Sequence, residues 1–265
     1  MTITTNPQEP QTTNTDRSPR TGAVTVTQYS RRGILAIWAA AALPMGALSW
    51  IVAPAIADGG GIESLVRPLL ACLTAGLVWQ FVLVMALVGY EQRSLRWSRL
   101  REALWLRAPR SPRSGRVGGR VWLLVIPLAL VAGLEELISL PAPIDRNFGE
   151  FLSSDAGAAM FDGAWGLFAL FMTMSVFNTI LGEELLFRGL LLPRMQGAFG
   201  DRDWLANGLL FAVYHLHSPW VIPGSLLDPF IYSLPAKRHR SALLSIAVHS
   251  VQSVLIGVLV LTVVL

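Results

Sequence analysis

The sequence predicts an all-α fold, a polytopic transmembrane helical bundle of about seven spans with its N-terminus inside. Three observations carry that reading. Of 265 residues, 53% are hydrophobic and only 14% charged, with a mean hydropathy of +0.52, whereas a soluble domain carries about 25% charged residues. Apolar stretches recur at 33–56, 67–90, 121–140, 164–193, 204–216, 221–234 and 241–264, most of them close to the roughly 20 residues that a bilayer core requires. Finally, if all seven cross from a cytoplasmic N-terminus, every lysine and arginine except Arg67 and Arg146 falls on the cytoplasmic side, as the positive-inside rule demands.

Residues 1–30 are rich in Thr, Asn, Gln and Pro and lack apolar periodicity, which predicts a disordered cytoplasmic tail. The following "SRRGILAIWAA" resembles a twin-arginine signal, with a small-x-small site at Ala55–Ala57. Its apolar stretch of about 24 residues exceeds the 7–15 of a signal core, so an uncleaved first helix is expected. The second span contains Cys72, the single cysteine; it can form no intramolecular disulfide and reads as packing. Residues 91–120 hold nine arginines, with Trp97, Leu100, Leu104, Trp105 and Leu106 among them. That mixture suits an amphipathic surface helix in an anionic headgroup layer. The net charge of +4 and the pI near 9.8 are thereby accounted for by membrane lipid, and nucleic acid is not expected as a partner.

Glu135 and Glu136 lie in the third span, toward its outer side, and read as a water-facing structural pair. The fifth and sixth spans are short. Pro223, Gly224, Asp228 and Pro229 interrupt the sixth, so it is expected to be a broken or re-entrant crossing covered by protein or water. It must nevertheless cross if Lys237–Arg240 are to lie inside. Asp228 would cap a helix end there or line a gate. The chain divides into the tail (1–30), N-terminal transmembrane helices with their basic loop (31–163) and a C-terminal membrane core (164–265).

Charged groups inside a span cost about 2.5–3.5 kcal/mol each and therefore have partners and a task. In "LGEELLFRGLL", 181–191, Glu184 and Arg188 are four apart, on one helical face with the acid N-terminal to the base. Glu183 is rotated by about 100° and has no charged partner in its own helix, which suits a general base or acid. The alternative is a structural ion-pair cluster joining helices. Counted from the cytoplasmic charges at about 1.5 Å per residue, Glu183, His215 and His249 lie about 16, 18 and 13 Å deep. One glutamate and two histidines in one layer have the composition of a hydrolytic site, in which the carboxylate activates water and the imidazoles polarise a carbonyl or bind a metal. His217 is expected to face the outer boundary near Trp220, and His239 belongs with the basic cytoplasmic cluster.

At these positions the chain resembles the CPBP family, the type II CAAX prenyl protease and bacteriocin-processing (Abi) group. "EELLFR" (Glu183–Arg188) fits its EExxxR signature, "FAVYH" (Phe211–His215) its FxxxH, and "HSVQS" (His249–Ser253) its HxxxN/D, over roughly 164–265. The resemblance implies a polytopic intramembrane endopeptidase in a helical bundle of the cell membrane, acting on a membrane-associated peptide or protein. It implies that Glu183 activates the water with help from His215, that His249 assists at the oxyanion, and that Glu184 and Arg188 support them. A divalent metal such as zinc, if used, would sit on Glu183, His215 and His249; a metal-independent glutamate mechanism is equally compatible. Ser253 stands where the family has Asn or Asp, a shorter donor and acceptor. Two other readings stay open: a proton-coupled transporter and a catalytically degenerate scaffold of the same family.

Overall fold

The computed structural model describes residues 26–265, so most of the expected tail lies outside the described residues. Among these the chain is helical, with a lone β-bridge between Arg110 and Val117. The helices that organise it are α1 (Arg31–Ala55), α2 (Ile62–Gln92), α3 (Trp97–Ala103), α4 (Gly119–Ala132), α5 (Trp165–Arg194), α6 (Asp203–Tyr214) and α7 (Ala242–Val264). Of these, α1, α2, α5 and α7 are long and apolar enough to cross a membrane. The other three expected spans are built from shorter pieces. The third is α4 followed by the single turn Glu135–Ile138, the fifth is the 12-residue α6, and the sixth is Ile222–Ser225, a π turn at Pro229–Ser233 and the short helix Leu234–His239. Pro223, Pro229 and Pro235 each remove a backbone donor there, so no continuous helix can run through.

Serines start two of the long helices: Gly33 N–H donates to Ser30 Oγ (3.2 Å) and Leu244 N–H to Ser241 Oγ (3.2 Å), each satisfying an orphan donor of the first turn. Pro44 lies inside α1, and the helix rewinds into a π turn at Leu48–Val52. The centre of the molecule is the second half of α5. Residues 182–195 are buried without exception, so "EELLFRGLL" faces protein on all sides and no charge in it meets lipid. Leu186, Phe187, Leu190 and Leu191 pack there among Met45, Leu77, Val84, Leu104, Phe211 and Tyr214.

Close backbone approach makes this possible. A Cβ on Gly182 would lie 2.7 Å from the Phe177 carbonyl oxygen and 3.2 Å from that of Leu77, so α2 and α5 touch at the residue preceding Glu183. At the other end of α5 the buried Arg194 pairs with Glu91, with contacts of 3.0 and 2.7 Å to Oε2. It also donates to the carbonyls of Ala103 (3.1 Å) and Leu190 (2.9 Å), and its own carbonyl accepts from Tyr29 N–H. The guanidinium thereby ties together the end of α2, α3 and the end of α5, using the fork geometry that makes arginine–carboxylate pairs strong, and the carbonyl of the same residue adds the entry to α1.

The basic loop differs from the expected surface helix. Ala103 and Leu104 are fully buried, and Leu100 and Leu106 pack on the same core; Gly189 of α5 leaves the space that Leu104 fills. The apolar side of α3 is taken by protein, while Leu95, Trp97 and Val117 of the loop remain widely exposed. His239 likewise turns inward, its Nδ1 lying 2.9 Å from the Arg110 carbonyl oxygen. Cys72 is a free, buried thiol packed with Ala53 and Leu65.

Candidate functional site

Two π turns, Phe177–Gly182 and Leu185–Leu191, flank the pair Glu183–Glu184. Such widened turns inside helices recur at functional sites because they re-aim neighbouring side chains. Glu183 is 2% exposed and Glu184 not at all, yet they point to different partners.

Glu184 Oε1 lies 3.3 Å from Arg188 Nη1 and 3.2 Å from His249 Nδ1. The helical pair expected within α5 is present, and α7 joins it. Above the ion pair, the guanidinium of Arg188 lies 4.1 Å from the ring centre of Phe211 and 5.1 Å from that of Tyr232. These cation–π contacts soften the cost of holding the charge in a dry interior.

Glu183 lies beside the hydroxyl of Tyr214 and interacts with it. That hydroxyl accepts from Gln80 Nε2 at 2.6 Å, within a wholly buried contact between α2 and α6. The surroundings of the carboxylate therefore include two residues that do not stand out among the candidates of the sequence. Their signals were present: a buried tyrosine needs a partner for its hydroxyl, and Gln80 is a lone amide deep in the apolar α2.

His215 stands at the end of α6, where the chain tightens into the 3₁₀ turn His215–His217. Its Nδ1 faces the Phe211 carbonyl oxygen at 3.1 Å. A carbonyl can only accept, which assigns the proton to Nδ1 and leaves Nε2 with its lone pair. At His249 the Glu184 carboxylate accepts from Nδ1–H; with a second proton on Nε2 the ring is a cation whose charge Glu184 balances.

Glu183, His215, His249 and Ser253 all line one cavity of about 240 Å³, together with Asn178 and Gln252. Three further residues line it against expectation. His217 does not turn to the outer boundary: the helix has ended at Tyr214, and the tighter turn brings its ring to 5.5 Å from that of His215. Glu135 is not a water-facing residue separate from the histidines but a wall of the same cavity; of the Glu136 side chain nothing is described. Asp228, 1% exposed, neither caps a helix by its side chain nor stands apart. Its carboxyl meets that of Glu135 in the cavity wall. Gly224 permits that meeting, because its Cβ would lie 2.5 Å from the Glu135 carbonyl oxygen.

Among the described residues no three His, Cys, Asp or Glu side chains group so as to hold an ion. Glu184 takes Nδ1 of His249 and the Phe211 carbonyl takes Nδ1 of His215, which leaves Nε2 of each ring as the nitrogen available to a ligand. What the cavity offers is one oriented carboxylate, two imidazole nitrogens, and polar Asn178 and Ser253 side chains in a small enclosure.

Comparison with known proteins adds one finding. Residues 164–255 match the family described as type II CAAX prenyl endopeptidase Rce1-like. No curated protein and no solved structure matches the chain.

Proposed function

From a chain that belongs, through residues 164–255, to the CPBP family of membrane proteases of the type II CAAX prenyl endopeptidase kind, we propose an intramembrane endopeptidase that uses Glu183 to activate water. The observation that carries this reading is the shared cavity of Glu183, His215, His249 and Ser253, with Arg188 paired to Glu184 and not to Glu183.

In this mechanism Glu183 takes a proton from a water held between its carboxylate and His215 Nε2, which accepts the second O–H. The resulting hydroxide adds to the carbonyl carbon of the scissile peptide. His249, its Nδ1 proton and charge balanced by Glu184, donates through Nε2 to the developing oxyanion, where preorganised donors act most strongly. Ser253 contributes to that pole directly or through a second water. Glu183 then returns its proton to the leaving nitrogen as the C–N bond breaks. Glu184 and Arg188 hold His249 and α5 in place. The substrate is a peptide or protein bound at the membrane, and the C-terminal part, 164–265, is the proteolytic core.

We also propose that the N-terminus is cytoplasmic and that the broken sixth segment crosses; reporter fusions after Arg116 and Arg240 should both read cytoplasmic, and an external signal at Arg240 overturns it. The enzymatic reading is tested by comparing membrane proteomes of cells carrying wild type and Glu183→Gln. Fragments present in the first and missing in the second are expected. Identical fragment sets with both proteins correctly inserted leave a scaffold, not a protease.

A further inference from the structure

A second cavity, about 930 Å³, adjoins the first and shares Ser139, His217, Ser218, Val221 and Ile256 with it. Its size falls within the roughly 300–1,000 Å³ of sites for whole small ligands. Much of the wall is aliphatic or aromatic, from Leu65, Leu69 and Leu73 of α2, Phe171 and Met174 of α5, and Leu259 of α7.

One residue of that wall is out of keeping. Arg146 is 8% exposed, and no carboxylate forms a salt bridge with it among the described residues; the neighbouring Asp145, exposed at the rim of the same cavity, attracts it only at longer range. Of the five N–H donors of a guanidinium, one on Nη1 goes to Ser49 Oγ (3.1 Å) and one on Nη2 to the Ser49 carbonyl (3.2 Å). Nε has no partner. Trp50 covers one face at 3.9 Å, which supplies attraction but no counter-charge. A buried cation without a directly paired anion is costly for a protein to hold. Beside a large apolar cavity, in a chain of membrane-spanning helices, a missing counter-charge and a missing apolar filling call for the same molecule.

We propose that this cavity binds a membrane phospholipid with an anionic headgroup, its phosphate against Arg146 and an acyl chain along the wall from Leu65 to Leu73. Arginine presents the planar donor set that suits a phosphate. The headgroup would also stand close to the chemistry, because Ser49, held by Arg146, donates to the His217 carbonyl at 3.1 Å.

The measurement is native mass spectrometry of the detergent-purified protein after equilibration with mixed phosphatidylglycerol and phosphatidylcholine vesicles. Wild type should retain one phosphatidylglycerol, preferred over phosphatidylcholine by about tenfold, a 1.4 kcal/mol difference. Arg146→Gln should abolish the preference and Arg146→Lys should keep part of it. Leu69→Trp, which fills the apolar wall without touching the charge, should lose the retained lipid while its thermal unfolding stays near wild type; it decides the matter if Arg146→Gln does not fold. Replacing Arg93, Arg96 and Arg99 together with Gln should change nothing, since the basic loop is elsewhere. Absence of a preference in wild type, its persistence in Arg146→Gln or Leu69→Trp, or its loss in the loop variant overturns the proposal. Stronger retention of palmitate than of phosphatidylglycerol overturns the assignment to a phospholipid.

Discussion

His249 Nδ1 lies 3.2 Å from Oε1 of Glu184, the same oxygen that takes Arg188 at 3.3 Å. Two adjacent glutamates therefore have separate surroundings, one bound to two basic partners and the other on the wall of the cavity.

Removing the charge of the first should be felt in stability. In Glu184→Gln the wholly buried Arg188 loses its counter-charge, and breaking such a pair from one side costs about 3–5 kcal/mol. A large fall in thermal stability in detergent is expected, with activity lost alongside it. Glu183→Gln keeps shape and hydrogen bonding, should unfold near wild type, and should turn over nothing. Equal unfolding temperatures for the two variants would count against this division.

The hydroxyl beside Glu183 gives a sharper test. Tyr214→Phe keeps the ring stacked on Phe211 but removes that hydroxyl and leaves Gln80 Nε2 unsatisfied, at about 1–3 kcal/mol. Turnover should fall about tenfold or more, equivalent to 1.4 kcal/mol of transition-state stabilisation. Adding Gln80→Leu removes the orphaned amide, so the double variant should regain stability and stay slow. Recovery of both quantities would reduce Tyr214 to a packing residue.

Gly182→Ala should disturb the same carboxylate from the backbone. The added methyl meets carbonyl oxygens at 2.7 and 3.2 Å, and overpacking of this kind costs about 1–3 kcal/mol. A lowered unfolding temperature and reduced turnover are expected together, because α5 can only move away from α2 by shifting Glu183.

Ser253→Asn lengthens a side chain of the cavity wall, at the proposed oxyanion pole. A direct donor in place of a shorter or water-mediated one should raise kcat by about tenfold at most, one good hydrogen bond in the transition state, with KM little changed. Cleavage of a reporter peptide in reconstituted vesicles measures it; unchanged or lower kcat removes Ser253 from that role.

What could be read in advance followed from local geometry. The pairing of Glu184 with Arg188 depends only on four residues of one helix, so spacing sufficed. The choice of Glu184 by His249 depends on how α7 is rotated against α5, which no local pattern encodes. Counting at a constant rise put Glu183, His215 and His249 at one level, and all three line one cavity; it could not follow the chain where the helices are interrupted. The break after α4 and the prolines of the sixth segment carried Glu135 and Asp228 into the cavity, and the 3₁₀ turn carried His217 there. The outward lipid face expected of the basic loop was misread because an apolar stripe shows that something covers it, not whether lipid or protein does. Leu104 found protein.

The burial of residues 182–195 on every side also bears on the order in which this protein can be made. Arg194 meets Glu91 and Ala103, both already synthesised when α5 leaves the ribosome. Glu184 at that moment has Arg188 but must wait for His249, more than sixty residues downstream in the last helix. Until α7 arrives, one side of the acidic pair faces whatever surrounds the growing bundle. Biogenesis of this protein should therefore be most fragile in the interval between insertion of the fifth and seventh helices, and a chaperone or insertase that shields α5 would act there.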